Sequence, residues 1–181
     1  MMAVLTSQHG SVCAQHGQSW KWNKGAVAPT IVSEDLLKPT TFLRIASILT
    51  LLYCAGHTRG GVLSGPSHGA EEVAVIETMK SHFFNFNGSP RTYWDFHLGY
   101  GLLLTVNLLI QGALFWYLAK LAKTNSLAVR PILALFFFNY LAMTILAWKY
   151  FFVGPAILQL LITACLAAAF ATSPARSVAK V

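Results

Sequence analysis

The chain has 181 residues, of which 55% are hydrophobic and 10% charged, with a mean hydropathy of +0.55. Soluble domains carry about 25% charged residues, so this composition excludes a fully water-exposed surface and predicts a protein solvated partly by lipid. The formal net charge of +7 does not indicate nucleic-acid binding, because the basic residues form no stripe and instead lie at the ends of apolar runs.

The two ends of the chain differ from its apolar middle. Residues 1–37 are polar and irregular and have no apolar core behind a basic start, so they are not typical of a signal peptide. Their composition predicts a disordered cytoplasmic tail. Residues 38–173 are predicted to form a four-span membrane domain, and residues 174–181 a short cytoplasmic tail.

Four apolar runs predict an all-α membrane protein, built as a four-helix transmembrane bundle. The predicted spans cover about residues 40–57, 93–121, 129–148 and 151–172. A link of only a few residues joins the third and fourth spans, which makes them antiparallel neighbours. Gly60 and Gly61 are expected to end the first helix.

The long loop between the first two spans contains a further helical pattern. Apolar residues recur at three- and four-residue steps between Ala70 and Phe84, while Glu71, Glu72 and Glu77 fall on other sides. This pattern predicts a short amphipathic helix that lies on the membrane surface or over the mouth of the bundle. The segment Asn-Gly-Ser-Pro at 87–90 is expected to end it.

The distribution of lysine and arginine predicts the orientation of the chain in the membrane. Nine of the thirteen basic residues flank the spans on one side: Lys21, Lys24, Lys38, Arg44, Lys120, Lys123, Arg130, Arg176 and Lys180. Because such residues accumulate on the cytoplasmic side, both termini are predicted to be cytoplasmic. The protein is then predicted to lie in the inner (cell) membrane, with the long loop on the outer side.

Polar residues inside the spans need hydrogen-bond partners or a function, because an unpaired polar group in hydrocarbon is costly. Four of them, Thr50, Asn107, Asn139 and Thr163, fall near the middles of their helices, and Gln159 falls about one turn above. Together the five predict a polar layer at the bilayer centre. The layer is either a set of interhelical hydrogen bonds or the floor of a ligand cavity. On the first helix, a face of small and polar residues from Ser47 to Gly61 is expected to look into the bundle.

The densest group of chemically active side chains lies at the predicted outer ends of the first two spans. Five residues there form the candidate ligand-binding set: His57, Arg59, Arg91, Tyr93 and Asp95. Asp95 lies inside the apolar boundary, where an isolated carboxylate is expensive. Arg91 could pair with it along the helix, and Arg59 or His57 could pair with it across helices.

This group of residues supports three hypotheses. In the first, a polar pocket binds a lipophilic or anionic small molecule, with the lipid bilayer as the other partner of the chain. In the second, a membrane-embedded enzyme uses His57 or Asp95 as a general base, which makes these two the candidate catalytic residues. In the third, ion pairs only lock the loop over the bundle, and the chain is a structural or accessory subunit of a membrane complex.

A metal-binding alternative would use His57, His97 and Asp95, with Glu72 as an optional fourth ligand. Their spacing matches no metal-binding motif, and no metal site is predicted. The three cysteines are single and scattered, which predicts neither a disulfide framework nor a zinc site. The sequence assigns no cofactor and no oligomeric state.

Three segments carry a resemblance to a known family: GHTRGG at 56–61, RTYWDFHLGYG at 91–101 and WKYFFVGP at 148–155. Together they resemble a family of small uncharacterised bacterial four-helix integral membrane proteins, over about residues 40–172. The matching positions are His57, Gly60, Gly61, Arg91, Tyr93, Trp94, Asp95, Gly99 and Gly101. His97 stands where the family pattern has an aromatic residue. The resemblance implies the architecture and a bacterial source, and it implies no activity.

Overall fold

The protein is described here from a computed structural model, which covers residues 38–174. The predicted tail over 1–37 and residues 175–181 of the predicted C-terminal tail lie outside the described residues. Within the described range, four helices are long and apolar enough to cross a membrane. The chain is a multi-pass membrane protein, and the predicted all-α four-helix bundle is confirmed.

Five α-helices make up most of residues 38–174. In chain order they are α1 (Pro39–His57), α2 (Ala70–Ser81), α3 (Tyr93–Thr124), α4 (Ser126–Tyr150) and α5 (Val153–Thr172). At about 1.5 Å per residue, α5 matches the roughly 30 Å hydrocarbon core of a bilayer, whereas α3 is about 48 Å long and extends beyond it. The helix α2 belongs to the loop and does not span.

The prediction that Gly60 and Gly61 end the first helix is wrong. The backbone continues through both glycines as a π-helical turn over Thr58–Val62. The Leu63 N–H donates to the Thr58 carbonyl at 2.9 Å, which closes this wider turn. Glycine weakens a helix by about 1 kcal/mol but does not forbid it, and near lipid an unpaired backbone group costs more than that.

The loop contains a β-hairpin that the sequence interpretation missed. The helix α2 ends at Ser81, before the predicted Phe84, and two strands follow, β1 (Phe84–Phe86) and β2 (Ser89–Arg91). The turn residues Asn87 and Gly88 have φ values of 52° and 86°. Both values lie in the left-handed region that a two-residue type I′ turn requires, and Asn-Gly is its preferred sequence.

The helix α1 is central to the bundle, because it packs against both α3 and α5. The helices α4 and α5 also pack closely, whereas α3 meets α4 over a shorter contact. Large buried side chains fill the space between these helices: Leu43, Phe115, Leu133, Tyr140, Ile162 and Leu166.

Small polar side chains of α1 join it to α3. The Ser47 hydroxyl donates to the Gly112 carbonyl at 2.7 Å, and the Cys54 thiol donates to the Thr105 carbonyl at 3.4 Å. Ser47, Cys54 and the neighbouring Thr50 are all buried. The predicted inward-looking polar face of α1 is therefore confirmed for these residues.

Candidate functional site

A cavity of about 560 Å³ lies at one end of the bundle. This is the end at which α1 finishes, α3 begins and α4 passes into α5, and we call the space the loop-end cavity. The last turn of α1 and the π-helical turn form one wall, the first turns of α3 form a second, and the α4–α5 turn with the start of α5 forms the third. The volume falls within the roughly 300–1,000 Å³ typical of ligand pockets.

The cavity exists because glycines stand where side chains would fill it. A methyl group added at Gly56 or at Gly60 would meet no other atom within 4 Å, although both residues line the cavity. The third wall is apolar and includes Phe152, Pro155 and Leu158. Within residues 38–174, the side chains that line the cavity include no Lys, Arg, Asp or Glu.

His57 is the member of the predicted site that lines this cavity. It is half-buried, and its ring bridges two helices, because Nε2 lies 3.0 Å from the carbonyl oxygen of Gly101 on α3. One turn earlier on α1, Tyr53 also lines the cavity, with its ring 6.5 Å from that of His57. The two side chains bring the polar atoms of α1 to a largely apolar space.

Tyr53 connects the cavity to buried polar residues deeper in the bundle. Its side chain interacts with Gln159 of α5, which is 2% exposed. The Oε1 atom of Gln159 has no hydrogen-bond partner among residues 38–174. A buried amide oxygen without a partner is costly, so Gln159 is the least satisfied member of this buried polar group.

The predicted polar layer divides into a buried part and an exposed part. Thr50, Gln159 and Thr163 are buried, and the Thr163 hydroxyl lies 3.1 Å from that of Thr144 on α4. Asn107 and Asn139 differ from the prediction, since both are exposed on the outer surface of the bundle. Both residues lie near the middle of their helices, but helix counting did not predict the direction in which they face.

Thr50 illustrates how the buried part is satisfied. Its hydroxyl donates to the Ala46 carbonyl at 2.8 Å and lies 3.4 Å from the hydroxyl of Tyr140 on α4. Tyr140 is 1% exposed and was not among the predicted residues. Of the two roles predicted for the polar layer, these contacts match hydrogen bonding between helices and not the floor of a ligand cavity.

Asp95 does not line the loop-end cavity; it caps α3. Its carboxylate accepts the Thr92 N–H at 2.8 Å, while the Thr92 hydroxyl accepts the Asp95 N–H at 3.1 Å. This reciprocal pair is a capping box, which satisfies backbone donors that a helix start leaves free. The carboxylate near the positive end of the α3 dipole explains why an acidic residue is tolerated at the apolar boundary.

The two arginines of the predicted set lie outside the cavity. Arg59 is exposed on the π-helical turn. Arg91 is exposed at the end of β2, where its guanidinium donates to the Pro90 carbonyl at 2.9 Å. The charge of Arg91 acts on Asp95 without a salt bridge between the two side chains. Among the described residues, Asp95 therefore forms a helix cap and not the ion pairs that were predicted to lock the loop over the bundle.

Aromatic contacts fix the hairpin and α2 to the start of α3. The Tyr93 ring, 55% exposed, packs edge-on against Phe84 of β1 with 5.1 Å between centroids. The Lys80 ammonium of α2 lies 5.0 Å from the centre of the Trp94 ring. The His97 ring lies 5.3 Å from the Trp94 ring, measured between centroids, and His97 also lines the cavity. The loop is thus attached above α3, beside the cavity.

Of the five predicted ligand-binding residues, the structure brings one, His57, to the cavity. The wall formed by α5 was missed, as was Tyr53. A signal for that wall existed: the short link between α4 and α5 places Phe152 and Pro155 at the same end as His57. The sequence interpretation used this link for topology and did not extend it to the site.

Metal binding and external comparisons add no assignment. Among residues 38–174, no group of three His, Cys, Asp or Glu side chains is close enough together to hold a metal ion. Searches against protein-family models, curated proteins and solved structures find no match. The geometry of the loop-end cavity is therefore the basis for the function proposed next.

Proposed function

We propose that this protein binds a small lipophilic molecule in the loop-end cavity, within the membrane. The observation that carries the proposal is the cavity of about 560 Å³ with an apolar wall and one interhelical histidine. Ligand pockets commonly combine mostly apolar lining with a few placed polar groups.

The charge of the lining favours a neutral lipophilic ligand over an anionic one. The cavity-lining residues described above include no lysine or arginine, and Arg59 and Arg91 are exposed outside the lining. An anionic group inside the cavity would then lose its hydration without gaining a countercharge, which is expensive. A neutral molecule carries no such penalty.

The orientation of the cavity follows from the charge distribution in the sequence. We place both termini in the cytoplasm of a bacterial cell and the loop end at the outer face of the inner membrane, because nine basic residues flank the opposite side. Under this orientation the ligand enters from the outer leaflet. Reactivity of a cysteine introduced at exposed Ser64 in the loop, towards a membrane-impermeant maleimide in intact cells, tests the orientation.

No observation favours acid–base catalysis by His57 together with Asp95. The Asp95 carboxylate is held by the capping box, and it does not line the cavity that His57 lines. A general base must reach the proton that it removes. Binding is the function that the arrangement supports best.

The test is a comparison of bound molecules in the wild type and in a variant with a filled cavity. Gly56→Leu places a four-carbon side chain at a cavity-lining position, where an added methyl group meets no neighbour within 4 Å. Gly99→Leu is the matched control, since Gly99 also has no neighbour within 4 Å but does not line the cavity. Each protein is purified in mild detergent, and its organic extract is measured by mass spectrometry.

We expect a lipophilic compound to co-purify in a fixed ratio with the wild type and with Gly99→Leu. Gly56→Leu is expected to lose it. Equal amounts of every extracted compound in all three proteins would show that the cavity holds no specific ligand.

A further inference from the structure

The hydrogen-bond partner of His57 fixes which of its ring nitrogens carries the proton. Nε2 lies 3.0 Å from the Gly101 carbonyl oxygen. A carbonyl oxygen can only accept a hydrogen bond, so Nε2 carries the hydrogen and donates it. A neutral imidazole has a single N–H, and Nδ1 is therefore a bare acceptor.

Glycine at position 61 leaves the Nδ1 edge of the His57 ring uncovered by a side chain. A methyl group added at Gly61 would lie 3.5 Å from Nδ1 and 3.7 Å from Cε1, so a larger side chain would cover this edge of the ring. Both His57 and Gly61 line the cavity. Nδ1 has no hydrogen-bond partner among residues 38–174.

The other polar side chains of the cavity impose no comparable choice on a ligand. The Tyr53 side chain already interacts with Gln159, and the hydroxyl of Tyr100, which also lines the cavity, can either donate or accept a hydrogen bond. His97 lies at the rim against Trp94 and has no hydrogen bond to a described residue that would fix its tautomer. The acceptor at His57 is thus the polar atom whose role is determined by the fold.

We propose that the ligand of the loop-end cavity is a neutral lipophilic alcohol or phenol, whose hydroxyl donates to His57 Nδ1. Its hydrocarbon part lies against the apolar wall formed by Phe152, Pro155 and Leu158. This inference rests on the proposed function and names the class of ligand. Ethers and ketones of the same shape carry acceptors alone, so they would place an oxygen lone pair against the lone pair of Nδ1.

The experiment measures equilibrium binding of four radiolabelled probes to the full chain in phosphatidylcholine nanodiscs. The probes are dodecanol and para-octylphenol, each with its methyl ether. Concentrations are expressed relative to the bilayer, and binding to Gly56→Leu, whose cavity is filled, is subtracted as partitioning. We expect the wild type to bind at least one hydroxyl probe about tenfold more tightly than its ether. The alcohol and phenol arms distinguish an aliphatic ligand from an aromatic one.

Two substitutions separate the ligand contact of His57 from its interhelical bond. The amide nitrogen in His57→Gln reaches the position of Nε2, which keeps a donor for the Gly101 carbonyl and removes Nδ1. The amide oxygen in His57→Asn reaches the position of Nδ1, which keeps the acceptor and removes the bond to Gly101. We expect His57→Gln to lose the preference for hydroxyl probes without losing thermal stability, and His57→Asn to keep the preference with lower thermal stability.

The outcomes distinguish this inference from the proposed function. Equal affinity of the wild type for a hydroxyl probe and its ether, in both pairs, would overturn the inference and leave the binding function standing. A preference that survives in His57→Gln would also overturn it, because Nδ1 would then not be the acceptor. If no probe binds above the Gly56→Leu background, the binding function is wrong and the inference falls with it.

Discussion

The helices α1 and α3 approach closely at Gly112, and a single added methyl group tests whether that contact holds the bundle together. Gly112 is buried, and its carbonyl accepts the hydrogen bond from Ser47. A methyl group at this position would lie 2.7 Å from Leu51 Cδ2 and 2.8 Å from Leu51 Cγ. The substitution Gly112→Ala is therefore expected to push the two helices apart.

The magnitude follows from the geometry. Carbon atoms in contact lie about 3.5–4.0 Å apart, so the methyl group overlaps Leu51 by about 1 Å. Leu51 is 40% exposed, so the end of its side chain can move, but its Cγ atom is held close to the backbone. The added methyl group would also lie 3.6 Å from the Ser47 carbonyl oxygen. Overpacking of this kind costs about 1–3 kcal/mol. The higher helix propensity of alanine does not offset this cost, because the helices keep their backbone hydrogen bonds when they separate in lipid.

The assay is reversible unfolding in mixed micelles at increasing mole fraction of dodecyl sulfate, followed by circular dichroism. Gly99→Ala is the matched control on the same helix, since a methyl group there meets no atom within 4 Å. We expect its free energy of unfolding to match that of the wild type. The double variant Gly112→Ala/Leu51→Ala removes the colliding atoms and should recover most of the lost stability. A Gly112→Ala protein within about 0.5 kcal/mol of the wild type would refute the reasoning.

Three further perturbations follow from single contacts. Ser47→Ala removes the bond to Gly112 and should lower the free energy of unfolding by about 0.6 kcal/mol, with about 1.7 as an upper bound. Thr92→Val removes the hydroxyl of the capping box and should lower the free energy of unfolding by about 1 kcal/mol, with faster amide exchange in the first turn of α3. Asp95→Asn keeps a side-chain acceptor for the Thr92 N–H and should lower the free energy of unfolding by less. The backbone N–H groups of the 67–68 segment lower the pKa of Glu72 from 4.5, so their protection should be complete above pH 4.5 and lost as the pH falls through the lowered pKa.

Each of these has a control or a contrary result. Ser47→Thr keeps the hydroxyl and should retain the bond. An ion-paired clasp in place of the cap would make Asp95→Asn more damaging than Thr92→Val. For the pH effect, Glu72→Gln should leave the protection of these amides, measured relative to their intrinsic exchange rates, independent of pH between 3 and 6 (about one and a half units on either side of the ordinary pKa). A wild type whose protection is equally independent of pH would contradict the assignment to Glu72.

The parts of the fold that the sequence predicts are those set by local periodicity. Helix lengths and the inward face of α1 follow from hydropathy and from the spacing of Ser47, Thr50 and Cys54, because a helix of fixed pitch presents them on one side. The β-hairpin was also written locally, in Asn87-Gly88, but the strands beside it are three residues long, too short to show an alternating pattern.

The site was harder to predict because it depends on which helix faces which. A carboxylate at an apolar boundary has two local explanations, an ion pair or a cap, and the Thr92-x-x-Asp95 spacing was the available signal for the cap. For Asn107 and Asn139, counting residues along a helix gives depth but not azimuth, and azimuth depends on the arrangement of the neighbouring helices. Predicting the α5 wall likewise requires knowing which helices are neighbours around the bundle.

Glycine serves opposite purposes along the contact between α1 and α3, and the difference lies in what surrounds each one. At Gly112 and Gly101, an added methyl group would collide with side chains of α1 or its π-helical turn, so these glycines let the backbones approach. At Gly56 and Gly60, it would meet nothing, so these glycines leave space. Tight contacts on the α3 side hold the π-helical turn in place while the α1 side stays open. The proposed binding function rests on this open space beside His57.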